Sequence, residues 1–257
     1  VQGSATAGAS TVTSTWTGAG ASQEELMHVD ECVIVDEKDN ITGHASKAAC
    51  HTFNPEQPKG LLHRAFSVFL FDGQGRLLLQ QRAASKITFP SVWTNTCCSH
   101  PLYGQVPDEV DGPEAVAKGE VPGVKAAAIR KLQHELGIPP SQVPAEAFTY
   151  LTRLHYCAAD THTWGPNAQW GEHEVDYILF IRANVTLQPN PEEVDAVKYV
   201  TREELAAMMD PGSGLRWSPW FRILAQRFLP GWWSDLGGAL AGAAKHRDLV
   251  TVHSIME

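Results

Sequence analysis

Residues 63–82 read HRAFSVFLFDGQGRLLLQQR: two β-rich runs, 63–71 and 76–82, broken by the polar, glycine-containing DGQG. Phe, Val and Leu suit a pleated, buried surface, and a short Gly-bearing link between two such runs predicts a hairpin. Working outward toward the N-terminus, CVIVDEKDNITG (32–43) reads as a strand, a polar turn and a return, and SKAACHTF (46–53) as a short helical or looped piece. Toward the C-terminus, VKAAAIRKLQHELG (124–137) is a helix, with Ile129, Leu132 and Leu136 on one face and Gly137 as its stop. Strands follow at FTYLTRLHY (148–156), EVDYILFIRANV (174–185) and AVKYV (196–200), and helices at REELAAMM (202–209) and PWFRILAQRFL (219–229). Strands and helices mixed without regular βαβ alternation predict an α+β fold, an α/β/α sandwich on a mixed sheet.

The chemistry concentrates in two short segments. In TNTCCSHP (94–101), the period of two in extended chain turns Cys98 and His100 into one space and Cys97 and Ser99 away from it. In GEHEVDY (171–177), Glu172 and Glu174 share one strand face and His173 takes the other. A lone cysteine is ordinarily a small buried hydrophobe. A thiol, an imidazole and two carboxylates together make a site.

Composition narrows the class. The chain of 257 residues is 43% hydrophobic, enough for one substantial core, and holds no apolar run long enough to span a bilayer. A net charge of −9 argues against nucleic acid or an anionic membrane as a general partner, so any anionic ligand must be met by a local basic cluster. Five cysteines at no disulfide-framework spacing fit a reducing compartment. Residues 1–24 are expected to form a flexible Ser/Thr/Ala/Gly-rich lead-in, with no charge before Glu24. With no initiator Met, such an acid-poor segment resembles what organelle import leaves behind, although transit peptides usually carry Arg and this one has none, and an artificial linker fits equally well. Plastid localisation is the expectation, cytoplasmic the alternative.

Seven segments, ACHTF, LLHRAFSVFLF, QQRAASKITFPSVWTNTCCSHP, HELG, LHYCA, WGEHEVDYIL and WSPWFR, occur in the order found in the type I isopentenyl diphosphate isomerases of plant and algal type, which have the Nudix fold. The resemblance covers residues 28–233, giving an isomerase domain at 25–233 and a C-terminal extension at 234–257. It implies conversion of isopentenyl diphosphate to dimethylallyl diphosphate for isoprenoid biosynthesis, including carotenoid and chlorophyll precursors. The small-molecule substrate would be bound by a monomer, with no nucleic acid and no membrane insertion. An unactivated alkene must be protonated before it can lose its allylic proton, so the reaction needs an acid, a base, a carbocation stabiliser and exclusion of water.

By the same resemblance, Cys98 and Glu174 transfer the protons, without the order being fixed, Tyr156 assists beside the glutamate, and the π face of Trp220 shields the cation. His51, His63, His100, Glu172 and Glu174 match ligands of a divalent metal, with Mg, Mn, Zn or Fe all compatible. Lys47, Arg82, Lys86 and Lys131 match the diphosphate-binding positions, Arg82 with its planar fork, and Glu135 matches a ligand of a Mg ion bridging the phosphates. Without that context Lys131 and Glu135 would be an ordinary solvated i,i+4 pair. Trp93 is expected to wall the pocket, and residues 102–122 to form a mobile polar loop near its mouth.

Two other readings compete. A Nudix hydrolase carries clustered carboxylates on its helix in a REUxEExGU pattern. Here RKLQHELGI keeps Arg130, Glu135 and Gly137 but places Lys131 and His134 where carboxylates belong. A non-catalytic diphosphate-binding module would have no need of both Cys98 and Glu174.

Overall fold

The computed structural model describes residues 14–255, so residues 1–13 of the expected lead-in lie outside the described residues. The strands are β1 (Glu31–Val35), β2 (Ile41–Ser46), β3 (His63–Phe71), β4 (Leu77–Arg82), β5 (Trp93–Thr94), β6 (Cys97–Ser99), β7 (Thr149–Ala159), β8 (Gly171–Arg182), β9 (Val194–Val200) and β10 (Val252–Ser254). The helices are α1 (Gln23–Val29), α2 (Lys47–His51), α3 (Pro113–Lys118), α4 (Pro122–Leu136), α5 (Thr161–Trp164), α6 (Arg202–Met209), α7 (Pro219–Arg227), α8 (Leu229–Ser234) and α9 (Leu236–Leu240). The expected hairpin is β3–β4, joined at Phe71 and Leu77.

One mixed sheet runs β10-β7-β8-β3-β1-β2, with β4 and β6 also pairing with β3 and β9 pairing with β4. β3 lies parallel to β8, while β7 is antiparallel to β8. Every residue of β3 is buried, as befits an apolar strand covered on both faces. Alternation sorts its side chains: Phe66, Val68 and Leu70 pack with Val124, Ala127, Ala128, Leu132 and Leu136 of α4. Phe69 and Phe71 pack with Phe221 and Leu224 of α7, Trp232 and Trp233 of α8, and Leu236 of α9. The result is the expected α/β/α sandwich.

Pairing register sets the site. His63 neighbours Glu174 across β3–β8, and Glu174 neighbours Tyr156 across β8–β7, which puts the three in one row. Beside them, Ser67 of β3 neighbours Cys98 of β6.

Three expectations need correction. Residues 102–122 carry α3 and are anchored: Glu109 holds Arg130 through bonds of 2.6 and 2.7 Å, and Asp111 accepts from the backbone N–H groups of Gly123 and Val124. That carboxylate supplies the cap that Val121 cannot give α4. The segment beyond 233 is part of the domain, because β10 pairs with β7 and Leu236, Ala239 and Ile255 are buried in the core. Within the described part of the lead-in, Trp16 packs over Arg130 and Lys131 and donates to Asp30 at 2.9 Å.

Candidate active site

A single cavity is lined by Cys98, Tyr156, Glu174 and Trp220, by Lys47, Arg82, Lys86 and Lys131, and by His100, Glu135 and Glu172. Strand alternation explains the split between the two adjacent cysteines. Cys97 enters the core on the α4 face, and Cys98 packs on the opposite face with the α7 cluster. Ser99 had been expected to look away, yet it lines the cavity too. The cavity is also bounded by Lys131 and Glu135 of α4, on the face that Ser99 shares with Cys97.

His51, His63, His100, Glu172 and Glu174 are all buried, with ligand atoms within 4.8 Å of one another. Helix α2 places His51 one turn after Lys47, whose carbonyl oxygen lies 2.7 Å from His51 Nδ1. His63 Nδ1 lies 2.8 Å from the carbonyl of Leu61. Those carbonyls can only accept, so each Nδ1 carries the proton and each Nε2 presents a lone pair inward. His51 Nε2 is 2.7 Å from Glu172 Oε2, and His63 Nε2 is 3.7 Å from Glu174 Oε1. His51 Nε2, His63 Nε2 and Glu172 Oε2 are buried without a hydrogen-bond partner. Lone pairs converging in this way at buried, orphaned atoms fit a divalent cation, and the group could hold one. Burial and the neighbouring imidazoles push His63 down to about 3 and His100 well below its usual value, so both are neutral, ligand-ready rings. Thr88, which sequence reasoning missed, donates to Glu172 Oε1 at 2.7 Å and so fixes that carboxylate.

The proton-transfer candidates are desolvated. Burial pushes the Cys98 thiol up to about 12, against the opposing pull of Arg82, so the S–H stays intact at neutral pH. Burial and the nearby Glu172 and Asp176 carboxyls raise Glu174 well above the carboxylate range. Tyr156 Oη donates to Glu174 Oε2, and His100 Nε2 lies 2.8 Å from Glu174 Oε1. Trp220 is held by its indole N–H, which donates to Asn95 Oδ1 at 3.2 Å, and Asn95 in turn bonds the carbonyls of Val68 and Cys97. Asn95 is a second residue the sequence did not single out. Trp93 does not line the cavity; it packs against the α7 cluster and bridges to Trp217.

The four expected cations all line the cavity, with Arg82 and Lys131 among those tied to protein groups around it. Arg82 commits Nε to the carbonyl of Phe89 and one Nη2 hydrogen to that of Thr88, which pins one edge of the guanidinium and leaves the Nη1 hydrogens and the second Nη2 hydrogen for an anion. Lys131 and Glu135 are buried and 3.2 Å apart, with Gln80 donating to the other Glu135 oxygen at 2.9 Å. Burial is the largest influence on Glu135 and raises it, but Lys131, Lys86 and the Gln80 hydrogen bond together outweigh it and hold the carboxyl low.

A family profile described as NUDIX domain matches residues 61–221. The chain is 46% identical over 243 residues to "Isopentenyl-diphosphate Delta-isomerase II" of Clarkia breweri, covering 93% of this chain and 79% of that one. It is 47% identical to the chloroplastic Delta-isomerase II of Arabidopsis thaliana, covering 93% and 80%. To Delta-isomerase I of Camptotheca acuminata it is 45% identical over 244 residues, covering 93% and 97%. On its fold and on this similarity along almost the whole chain, the protein belongs to the Nudix family and, within it, to the plant-type type I isopentenyl-diphosphate Delta-isomerases.

Proposed function

We propose that Cys98 and Glu174 carry the two proton transfers by which this isomerase converts isopentenyl diphosphate into dimethylallyl diphosphate, the activity its relatives' names state. A proton added to the terminal CH2 gives a tertiary cation at C3, and a proton lost from C2 forms the new double bond. Cys98 keeps its S–H through the neutral range, and Glu174, joined to Tyr156, is the partner group. Trp220 faces the developing cation, an interaction worth about 2 kcal/mol when desolvated. Phe89 packs edge-on against the indole at 5.6 Å and helps exclude water.

His51, His63, His100, Glu172 and Glu174 would hold a divalent cation, whose charge would lower the proton affinity of the Glu174 carboxylate. Lys47, Arg82, Lys86 and Lys131 bind the diphosphate, and Glu135 would hold a Mg ion that would supply positive charge to it. The observation that carries the reading is a thiol, a carboxylate, an indole and four cations lining one cavity. The hydrolase alternative is weakened by the Lys131 ammonium, which lies between Glu135 and Glu193 where that chemistry needs carboxylates.

The reading extends to a monomer working in the plastid. Arabidopsis thaliana and Cannabis sativa relatives carry "chloroplastic" in their names, and no described helix is long and apolar enough to cross a membrane. Incubating the metal-loaded protein with isopentenyl diphosphate should yield dimethylallyl diphosphate with the diphosphate intact. Release of inorganic phosphate or of a monophosphate ester would overturn the reading in favour of hydrolysis.

A further inference from the structure

Three cations gathered at one buried anion site repel one another before any ligand arrives, and something must hold them there. Lys86 and Lys131 line the cavity with side chains only 8% and 6% exposed, and Arg82 lies beside them. Behind them sits Glu193, just before β9, its side chain 1% exposed and outside the cavity lining. One of its carboxylate oxygens, Oε2, pairs with Lys86 Nζ. The other, Oε1, lies 3.8 Å from Lys131 Nζ and 3.6 Å from His134 Nδ1, and accepts from Gln23 Nε2 at 2.9 Å. The backbone is fixed as well: Glu193 N–H donates to Asn190, and the Glu193 carbonyl accepts from Ala83 N–H, three residues before Lys86.

We propose that Glu193 is a positioning residue for diphosphate capture, its carboxylate holding the Lys86 and Lys131 ammonium groups side by side and aimed into the cavity from behind the wall. The proposal rests on the reading that these lysines bind the diphosphate. Glu193 cannot touch the ligand itself and acts only through its neighbours.

The charges around Lys86 support this role. Burial pushes its ammonium down to about 8, and Lys131 and Arg82 push the same way. Glu193 is the largest opposing influence, with Glu135 of α4 adding less. His134, driven to about 4 chiefly by burial, is neutral in this range and supplies no replacement charge. A lysine must be protonated to bind the anion, so in the free enzyme kcat/KM should fall as pH rises past about 8. Removing the Glu193 charge should move that fall to lower pH, at a cost of roughly tenfold in KM for each unit by which Lys86 drops below the assay pH.

The test compares metal-loaded wild type with Glu193→Gln, Glu193→Asp and Lys86→Gln, using isopentenyl diphosphate as substrate and inorganic diphosphate as competitive probe. Glu193→Gln should raise KM and the inhibition constant of diphosphate roughly tenfold, leave kcat within about threefold, and shift the alkaline limb of kcat/KM about one unit toward acid. Glu193→Asp, which keeps the charge, should retain the limb near its wild-type pH while raising KM less. An unchanged or lowered KM with an unmoved limb in Glu193→Gln would overturn the proposal. If Glu193→Gln does not fold, an unchanged KM in Glu193→Asp overturns it equally. Lys86→Gln separates the two levels: a raised KM there beside an unaffected Glu193→Gln sinks the role of Glu193 alone, while an unaffected Lys86→Gln sinks the diphosphate reading beneath it.

Discussion

Thr88 and the two carbonyls behind His51 and His63 orient the buried His/Glu group that could hold a metal ion, because they decide which of its ring nitrogens and carboxylate oxygens face inward. Thr88 Oγ1 bonds one oxygen of Glu172 and leaves the other beside His51. Replacing Thr88 with Val removes that bond at nearly constant volume, and losses of this kind lower metal affinity about 10- to 100-fold. Titrating the apo protein with Mn or Zn should show that loss with an unaltered circular dichroism spectrum; equal affinity in the variant would leave Thr88 with no part in the group. Nothing around Thr88 in SKITFPSVW marks it out, since its partner lies 84 residues further on. The alternation that separates Cys97 from Cys98 was legible because it needs only a period of two. The commitment of Arg82 to Thr88 and Phe89 was not, because it depends on how a loop folds back.

At the scale of elements, helix α4 shows where sequence patterns run out. Its apolar residues announced a helix, and Gly137 announced its end. What they did not announce is that Arg130, Lys131 and Glu135 would be buried as well, each matched to a partner distant in sequence such as Glu109, Glu193 or Gln80. An i,i+4 pattern cannot distinguish a solvated charged face from one covered by another segment. Gly137 caps the helix at φ +63°, and a Cβ there would come within 2.5 Å of the Gln188 carbonyl oxygen. Gly137→Ala is therefore expected to destabilise the protein by about 1–2 kcal/mol, a fall in Tm of roughly 2–8 °C. A melt of the variant matching wild type would show that the turn after α4 yields freely.

For the whole molecule, a chain of net charge −9 gathers four of its 20 Lys and Arg residues into one cavity, a local concentration of positive charge suited to an anionic substrate. The sandwich was readable from strand and helix periods. The boundary at 233 was not, because β10 is three residues long and joins β7 from a stretch with little pattern of its own. The ordered 102–122 segment escaped for a similar reason: its polar residues read as solvent-facing, but Glu109 and Asp111 turn inward to Arg130 and to the start of α4. What the fold finally delivers is a thiol and a carboxylate opening on the same space, and the central claim is that they move protons on and off one C5 chain. The most direct measurement follows deuterium by NMR when isopentenyl diphosphate is turned over in heavy water by wild type and by Cys98→Ala, with metal content checked in both. Wild type should place deuterium in the new methyl group of dimethylallyl diphosphate, and Cys98→Ala should keep its fold and metal yet form no labelled product. Turnover and labelling by Cys98→Ala at the wild-type rate would contradict the account.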